Sequence, residues 1–367
     1  MSVDSQRYLE TRPAEAYTLE LPHDPRPIVI IGAGGIVKDA HLPAYQKAGY
    51  PVFGIVNRTV SRAQALADEY RIHHVYASVA EAVAAAPGDA VYDLALMPEQ
   101  YPEALGALPD GAAVLIQKPL GQDLAAGREL RDLCRSKGLV AAVNTQLRFA
   151  PYVAEARRLI AAGVIGELYD LEIRVSVDTP WHMFPHVFGL ERLEINMHSV
   201  HYLDLVRSFL GDPTGVNAVT RRHPAKEIAN TRSTIILYYG DRPIRVMVSA
   251  NHDHEYGAKY EESFIKWEGT KGAIRAQMGL LLDYPIGGED RLECLLLEEK
   301  GKGWQPLPFE GSWFPDAFIG SMGALQRFIE GSVEELPTSV DDVLKTMAVI
   351  DAAYESDNRG GVVPDYE

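Results

Sequence analysis

The sequence predicts an α/β chain in two parts, a doubly wound parallel sheet followed by an α+β domain with an open, mainly antiparallel sheet. Three observations carry this. The apolar run Ile28-Val29-Ile30-Ile31 ends abruptly at a glycine-rich turn that begins at Gly32. Strand-like and helix-like segments then alternate as far as Val143. After Arg148 the alternation stops, and strand-like segments follow one another.

Ile28 to Ile31 is uniformly apolar and β-branched, which suits a strand covered on both faces. Ile36 to Ala48 has helical spacing. Pro51 to Val56 forms the second strand, and Ser61 to Tyr70 an Ala-rich helix. A brief third strand at Val75-Tyr76 precedes a helix over Ser78 to Ala86. The fourth strand is Ala90 to Leu96 and its helix Pro98 to Leu108; the fifth is Ala112 to Ile116 and its helix Leu120 to Lys137. Leu139 to Val143 is the sixth strand. This rhythm implies a parallel sheet with helices on both faces.

In the second part, Pro151 to Ala162 reads as a helix and Leu168 to Val177 as a long alternating strand. A loop rich in His and aromatics covers Asp178 to Leu190, and Glu194 to Leu210 is helical. Strands follow at Gly215 to Arg221, Ser233 to Tyr239, Ile244 to Ala250, Glu262 to Trp267, Gly272 to Ala276 and Arg291 to Glu298. Helices close the chain at Phe314 to Glu330 and Val340 to Ser356. The division is therefore an N-terminal arm (1–26), a dinucleotide-binding domain (27–148) and a second α+β domain (149–367).

A length of 367 residues suits two domains, and 47% apolar residues supply two cores. Net charge is −16, which disfavours nucleic acid as a partner and a basic membrane-surface role. Residues 1–150 hold 14 basic and 17 acidic side chains, and the remainder 21 and 34. The near-neutral part is thus the better host for an anionic nucleotide. No apolar stretch is long enough to span a bilayer, and the acidic start is no secretory signal. Two cysteines, Cys134 and Cys294, give no disulfide framework or metal-ligand spacing, so a cytoplasmic location is expected.

The turn Gly32-Ala33-Gly34-Gly35-Ile36-Val37 has the pattern G-x-G-x-x-V after a first strand. Gly32 would make the tight turn. Gly34 would let backbone approach a pyrophosphate, whose charge suits the N–H groups at Gly35, Ile36 and the helix start. Val37 replaces the usual third small residue and asks for a wider helix–strand gap. The second strand ends in Asn57, Arg58 and Thr59, with Arg62 following. An acid there would bind a ribose hydroxyl and repel a 2′-phosphate. Neutral Asn57 does not repel, and Arg58 and Arg62 can neutralise phosphate, so NADP is preferred to NAD. The competing reading leaves both arginines as solvated turn charges.

Gln117-Lys118-Pro119-Leu120 follows the fifth strand, where open α/β sheets hold ligands. Together with His41-Leu42-Pro43-Ala44, Asn144 to Pro151, His201-Tyr202-Leu203-Asp204-Leu205-Val206-Arg207, Gly211-Asp212-Pro213 and Gly269-Thr270-Lys271-Gly272, it resembles the glucose–fructose oxidoreductase, inositol dehydrogenase and rhizopine catabolism (Gfo/Idh/MocA) family from Ile28 to Pro364. The resemblance implies a Rossmann-like domain and a substrate domain. The latter's sheet would join subunits into a homodimer or homotetramer. It implies hydride transfer between NAD(P) and a hydroxyl or carbonyl carbon of a sugar, polyol or related small molecule. Lys118 would hold the hydroxyl and take its proton, and His201 would relay or exchange protons. Met97, Pro98, Gln117 and Lys118 would line the cofactor. A Lys near a positive nicotinamide loses proton affinity, and a His needs little tuning for neutral pH.

This chain departs from the family pattern in two places. Gln117 stands where a Glu is usual, and Met197 where an Asp often lies one turn before the His. Asn196 and His198 can replace that acid only if the helix begins irregularly. Substrate contacts are expected from Arg148, Asn196, His198 and the 178–190 loop, with Trp181, His182 and His186 suited to sugar faces and hydroxyls. His182 and His186 are spaced like metal ligands, but Pro185 interrupts a helix and no acid completes a set, so no metal is assigned. His252-Asp253-His254 is read as a solvent-facing strand end without a role. Two other functions stay open: an enzyme that retains its nicotinamide and achieves net hydrolysis or epimerisation, and a non-catalytic nucleotide-binding sensor.

Overall fold

The structure is a computed structural model and describes residues 19–361. The arm's residues 1–18 lie outside the described residues. The chain divides into two compact units. Among the described residues, one contains 19–151 and 311–347; the other contains 152–310 and 348–361.

The first unit holds β1 (Ile28–Ile31), β2 (Val52–Val56), β3 (His74–Tyr76), β4 (Val91–Leu94), β5 (Ala113–Gln117) and β6 (Val140–Asn144). All pairs are parallel, in the order β3-β2-β1-β4-β5-β6. β1 is buried at every position, as its unbroken apolar run requires. The helices begin with local signals: Ser78 accepts a hydrogen bond from the Glu81 N–H, and Asp123 one from the Ala126 N–H. Strand order reverses between β1 and β4, which creates a crevice at their carboxyl ends.

The expected contiguous second domain, 149–367, is corrected here, because Gly311–Met347 returns to the first unit. The helix Asp316–Glu330 buries Phe318, Ile319, Met322 and Leu325 in the same core as Ile28, Ile30, Val91 and Leu115. Burial of each such side chain is worth about 1.5–3 kcal/mol, more than the loss from a longer connection. Gly320 permits the approach: a β-carbon there would lie 2.6 Å from that of Phe149.

The second unit has β7 (Leu168–Ser176), β8 (Gly215–Arg221), β9 (Arg232–Tyr238), β10 (Arg245–Asn251), β11 (Glu262–Gly269), β12 (Gly272–Gln277), β13 (Arg291–Leu296) and β14 (Gln305–Pro306), in the order β14-β13-β12-β11-β7-β10-β9-β8. The sheet is antiparallel except for the β7–β10 pair. Leu171, Ile173 and Val175 turn inward on β7, while Tyr169 and Arg174 turn outward. The helix Val200–Leu210 meets the inner face, where Phe209 lies 5.4 Å from Trp267, ring to ring. Edge strand β8 is covered: the Ala218 and Thr220 N–H groups donate to Ser356 and Asp357. Among the described residues no helix is long and apolar enough to cross a membrane.

Candidate active site

In the first unit the glycine turn sits at the crevice. Gly32 has φ +121°, and a β-carbon there would fall 2.3 Å from the Ala95 carbonyl oxygen. Gly34 is the opposite case, because its β-carbon would meet no protein atom within 4 Å. A tight turn beside a bare, open backbone is what a pyrophosphate needs, so the residues present fit a dinucleotide. The segment after the turn begins as a π-helical turn, Val37–His41, before the helix Leu42–Ala48. Behind it, His41 Nδ1 lies 2.6 Å from Asp93 Oδ2, to which the Tyr45 hydroxyl also donates at 2.7 Å. All three are buried. Sequence reasoning missed this brace; its signal was the lone acid in apolar β4.

At the end of β2 the Asn57 amide donates to the Thr59 carbonyl, 2.9 Å away. Thr59, Arg58 and Arg62 are exposed, and neither arginine forms an ion pair among the described residues. The turn thus presents two cations and no carboxylate.

Lys118 lies just beyond the carboxyl end of β5. The Gln117 side chain folds onto this backbone and accepts from the Lys118 N–H at 3.0 Å. Buried Tyr101 donates to the carbonyls of Gln117 (2.5 Å) and Leu96 (3.2 Å), tying together the turns after β4 and β5, with Met97 half-buried and Pro98 buried between them. Burial lowers the Lys118 ammonium to about 8. The loss of proton affinity expected near a nicotinamide therefore has a source in the fold itself. The Arg148 guanidinium, expected on the substrate, pairs with Asp342 at 2.6 Å and donates to the Pro337 carbonyl. The return of Gly311–Met347 supplies both partners.

In the second unit His201 occupies the first turn of Val200–Leu210 and is 7% exposed. The helix start is irregular, with a π-turn over Ile195–Ser199. It leaves Met197 and His198 half-buried and Asn196 buried. Met197 packs on the apolar cluster of Trp181, Val187, Leu193 and Ile228, so its thioether serves the loop.

Trp181, expected on a sugar face, is corrected to an anchor. It is 6% exposed, and its Nε1 donates to Asp253 Oδ1 at 3.4 Å. His182 and His186 remain exposed on the loop. The expectation of a solvent-facing 252–254 segment is also overturned. His252 is 1% and Asp253 6% exposed, because β10 runs on into hydrogen bonds with Val177, Thr179 and Thr231. Asp253 further accepts from Thr231 and Lys226. Glu194, given no role in the sequence reading, is fully buried and accepts from Ser199 and Ser233. Its carboxyl is pushed up to about 7 by burial, with both hydroxyls pulling it back. Among the described residues no group of three His, Cys, Asp or Glu side chains is placed to hold a metal.

Comparison with known proteins agrees with the fold. Residues 26–145 match an oxidoreductase family with an NAD-binding Rossmann fold, and residues 153–275 match the GFO/IDH/MocA C-terminal domain. The chain is 24% identical to a D-apiose dehydrogenase of Paraburkholderia graminis, over 91% of this chain and 88% of that protein. It is 27% identical to a 1,5-anhydro-D-fructose reductase of Ensifer adhaerens, over 88% and 95%. An oxidoreductase from Agrobacterium radiobacter, solved with NAD+, L-tartaric acid and magnesium, shares the fold with a TM-score of 0.75 and 21% identity, over 92% of this chain and 98% of that one.

Proposed function

The chain belongs to the Gfo/Idh/MocA oxidoreductase family, and on that premise we propose that it moves hydride between NADP and a secondary alcohol carbon of a small neutral sugar or polyol. Use of NAD(P) and oxidoreduction at CH–OH groups follow from the family and its dehydrogenase and reductase relatives. The preference for NADP is supported by Asn57, Arg58 and Arg62, which offer cations and no repelling acid.

The nicotinamide, when bound, supplies the hydride acceptor or donor. Gly34 and Gly35 give the pyrophosphate a bare backbone. Lys118 takes the hydroxyl proton as the carbon is oxidised, and its value of about 8 leaves a usable neutral fraction near neutral pH. His201 is the group that the family resemblance assigns to proton relay. His198, Asn196, His182 and His186 supply hydrogen bonds to substrate hydroxyls. The observation that carries this reading is Lys118, placed beyond β5 with its proton affinity lowered by burial. Exposed Val219, Ile236 and Tyr238 on the sheet's outer face support a homo-oligomer built on it. Two cysteines without a disulfide support a cytoplasmic location.

The test is a nucleotide titration by intrinsic fluorescence, followed by an absorbance screen at the nicotinamide band over sugars, polyols and sugar acids. Turnover that survives in Lys118→Ala would overturn the mechanism.

A further inference from the structure

Half-buried His198 stands in front of two buried titratable groups, His252 and Glu194, that the hydride-transfer scheme does not use. The His252 ring lies against that of His198, with centroids 4.3 Å apart and planes 29° from parallel. His252 Nδ1 is 2.9 Å from Thr179 Oγ1, and its Nε2 is 4.0 Å from Glu194 Oε1. Trp181 flanks both rings at 5.8 and 5.9 Å. The other titratable groups facing the pair are Tyr202 and Tyr354 towards Glu194, and Asp253 beside His252. Burial keeps both phenols protonated, and Asp253 is held by Lys226, Thr231 and Trp181.

We propose that Glu194, acting through His252, is a positioning residue that sets the protonation of His198, making His198 a proton-holding group for the substrate. The assignment of His198 to the substrate rests on the function proposed above; the coupling does not.

His252 is held down to about 4 by burial, so its ring is neutral at working pH. Glu194 has two hydroxyl donors and no adjacent cation, and burial holds its carboxyl at about 7. The pair therefore gains a negative charge as pH rises through about 7. The imidazole stacked on the pair and open to solvent on one side is that of His198. A new anion behind it favours its cation. Met197, in the same π-turn, can hold no proton, so Glu194 is the acid of this helix start.

The experiment is a pH titration of the full-length protein by NMR, with 13C at histidine Cε1 and glutamate Cδ. In the wild type, the His198 signal is expected to show a step near pH 7 that coincides with titration of the Glu194 carboxyl. Glu194→Gln should abolish the step and lower His198 proton affinity roughly threefold or more, about half a pH unit. Ser233→Ala, which removes one donor and keeps the carboxyl, should move the shared step upward, and it serves alone if Glu194→Gln does not fold. A His198 curve identical in the wild type and the folded variants overturns the coupling. That outcome leaves hydride transfer untouched, and a failed substrate screen leaves the titration untouched.

Discussion

Gly32 and Ala95 approach so closely that a β-carbon on the glycine would lie 2.3 Å from the Ala95 carbonyl oxygen. Two glycines two residues apart therefore do separate jobs. Gly32→Ala meets backbone and is strained at φ +121°, so a destabilisation of about 2 kcal/mol or more is expected, read as a fall in Tm. Gly34→Ala meets no protein atom within 4 Å and should melt like the wild type, yet lose nucleotide affinity tenfold or more, by about 1.4 kcal/mol. Unchanged affinity in Gly34→Ala would move the pyrophosphate off this turn.

Lys118 should impose a pH dependence on alcohol oxidation. Its folded value of about 8 lies below the ordinary 10.5, so the base is mostly protonated at pH 7 and mostly neutral at pH 9. Once a substrate is found, kcat/KM should rise through about pH 8 and then level. Lys118→Ala should lower it by about 10²–10⁴. A rate flat from pH 7 to 9 would remove Lys118 as the base.

Cofactor choice should lie at the end of β2. Asn57→Asp adds a carboxylate beside the site proposed for a 2′-phosphate, and Arg58→Ala removes a cation. Each should weaken NADP about tenfold, roughly 1–2 kcal/mol, with little effect on NAD. Fluorescence titration with both nucleotides reads this directly, and unchanged affinity for both in Arg58→Ala would leave Arg58 a solvated turn charge.

The 178–190 loop should loosen when its anchor is cut. Asp253 holds the Trp181 indole, Thr231 and Lys226. Asp253→Ala should raise amide exchange over Trp181 to Leu190 and leave exchange in β1 to β6 unchanged. Met197→Asp places a carboxylate against the same apolar cluster and should lower Tm, costing about 1–3 kcal/mol, rather than raise activity.

Stability should depend on Glu194 with a definite sign. The folded carboxyl titrates at about 7, above its ordinary 4.5, so the folded chain binds this proton more tightly than the unfolded chain does. Its contribution to stability is therefore lost as pH rises from about 4.5 through 7, leaving a buried anion above that range. Glu194→Gln has no such charge, and its Tm relative to the wild type should improve steadily from pH 5 to pH 8. A constant gap would mean that the carboxyl is already ionised at the acid end.

The sequence by itself determined the parallel alternation, the glycine turn and the place of Lys118. Each rests on short-range pattern: an unbroken apolar strand, glycines at fixed offsets, and a lysine one residue past a strand end. Tertiary structure alone decided what distant segments do to one another. It returned Gly311–Met347 to the first sheet's core, because four large apolar side chains of Asp316–Glu330 are buried there. It paired Arg148 with Asp342, 194 positions away in sequence. It turned Trp181 inward to Asp253, and set His252 between Glu194 and His198. Periodicity records which face of an element is apolar; which partner covers that face, and how far burial then shifts a proton, depends on residues that meet only after folding.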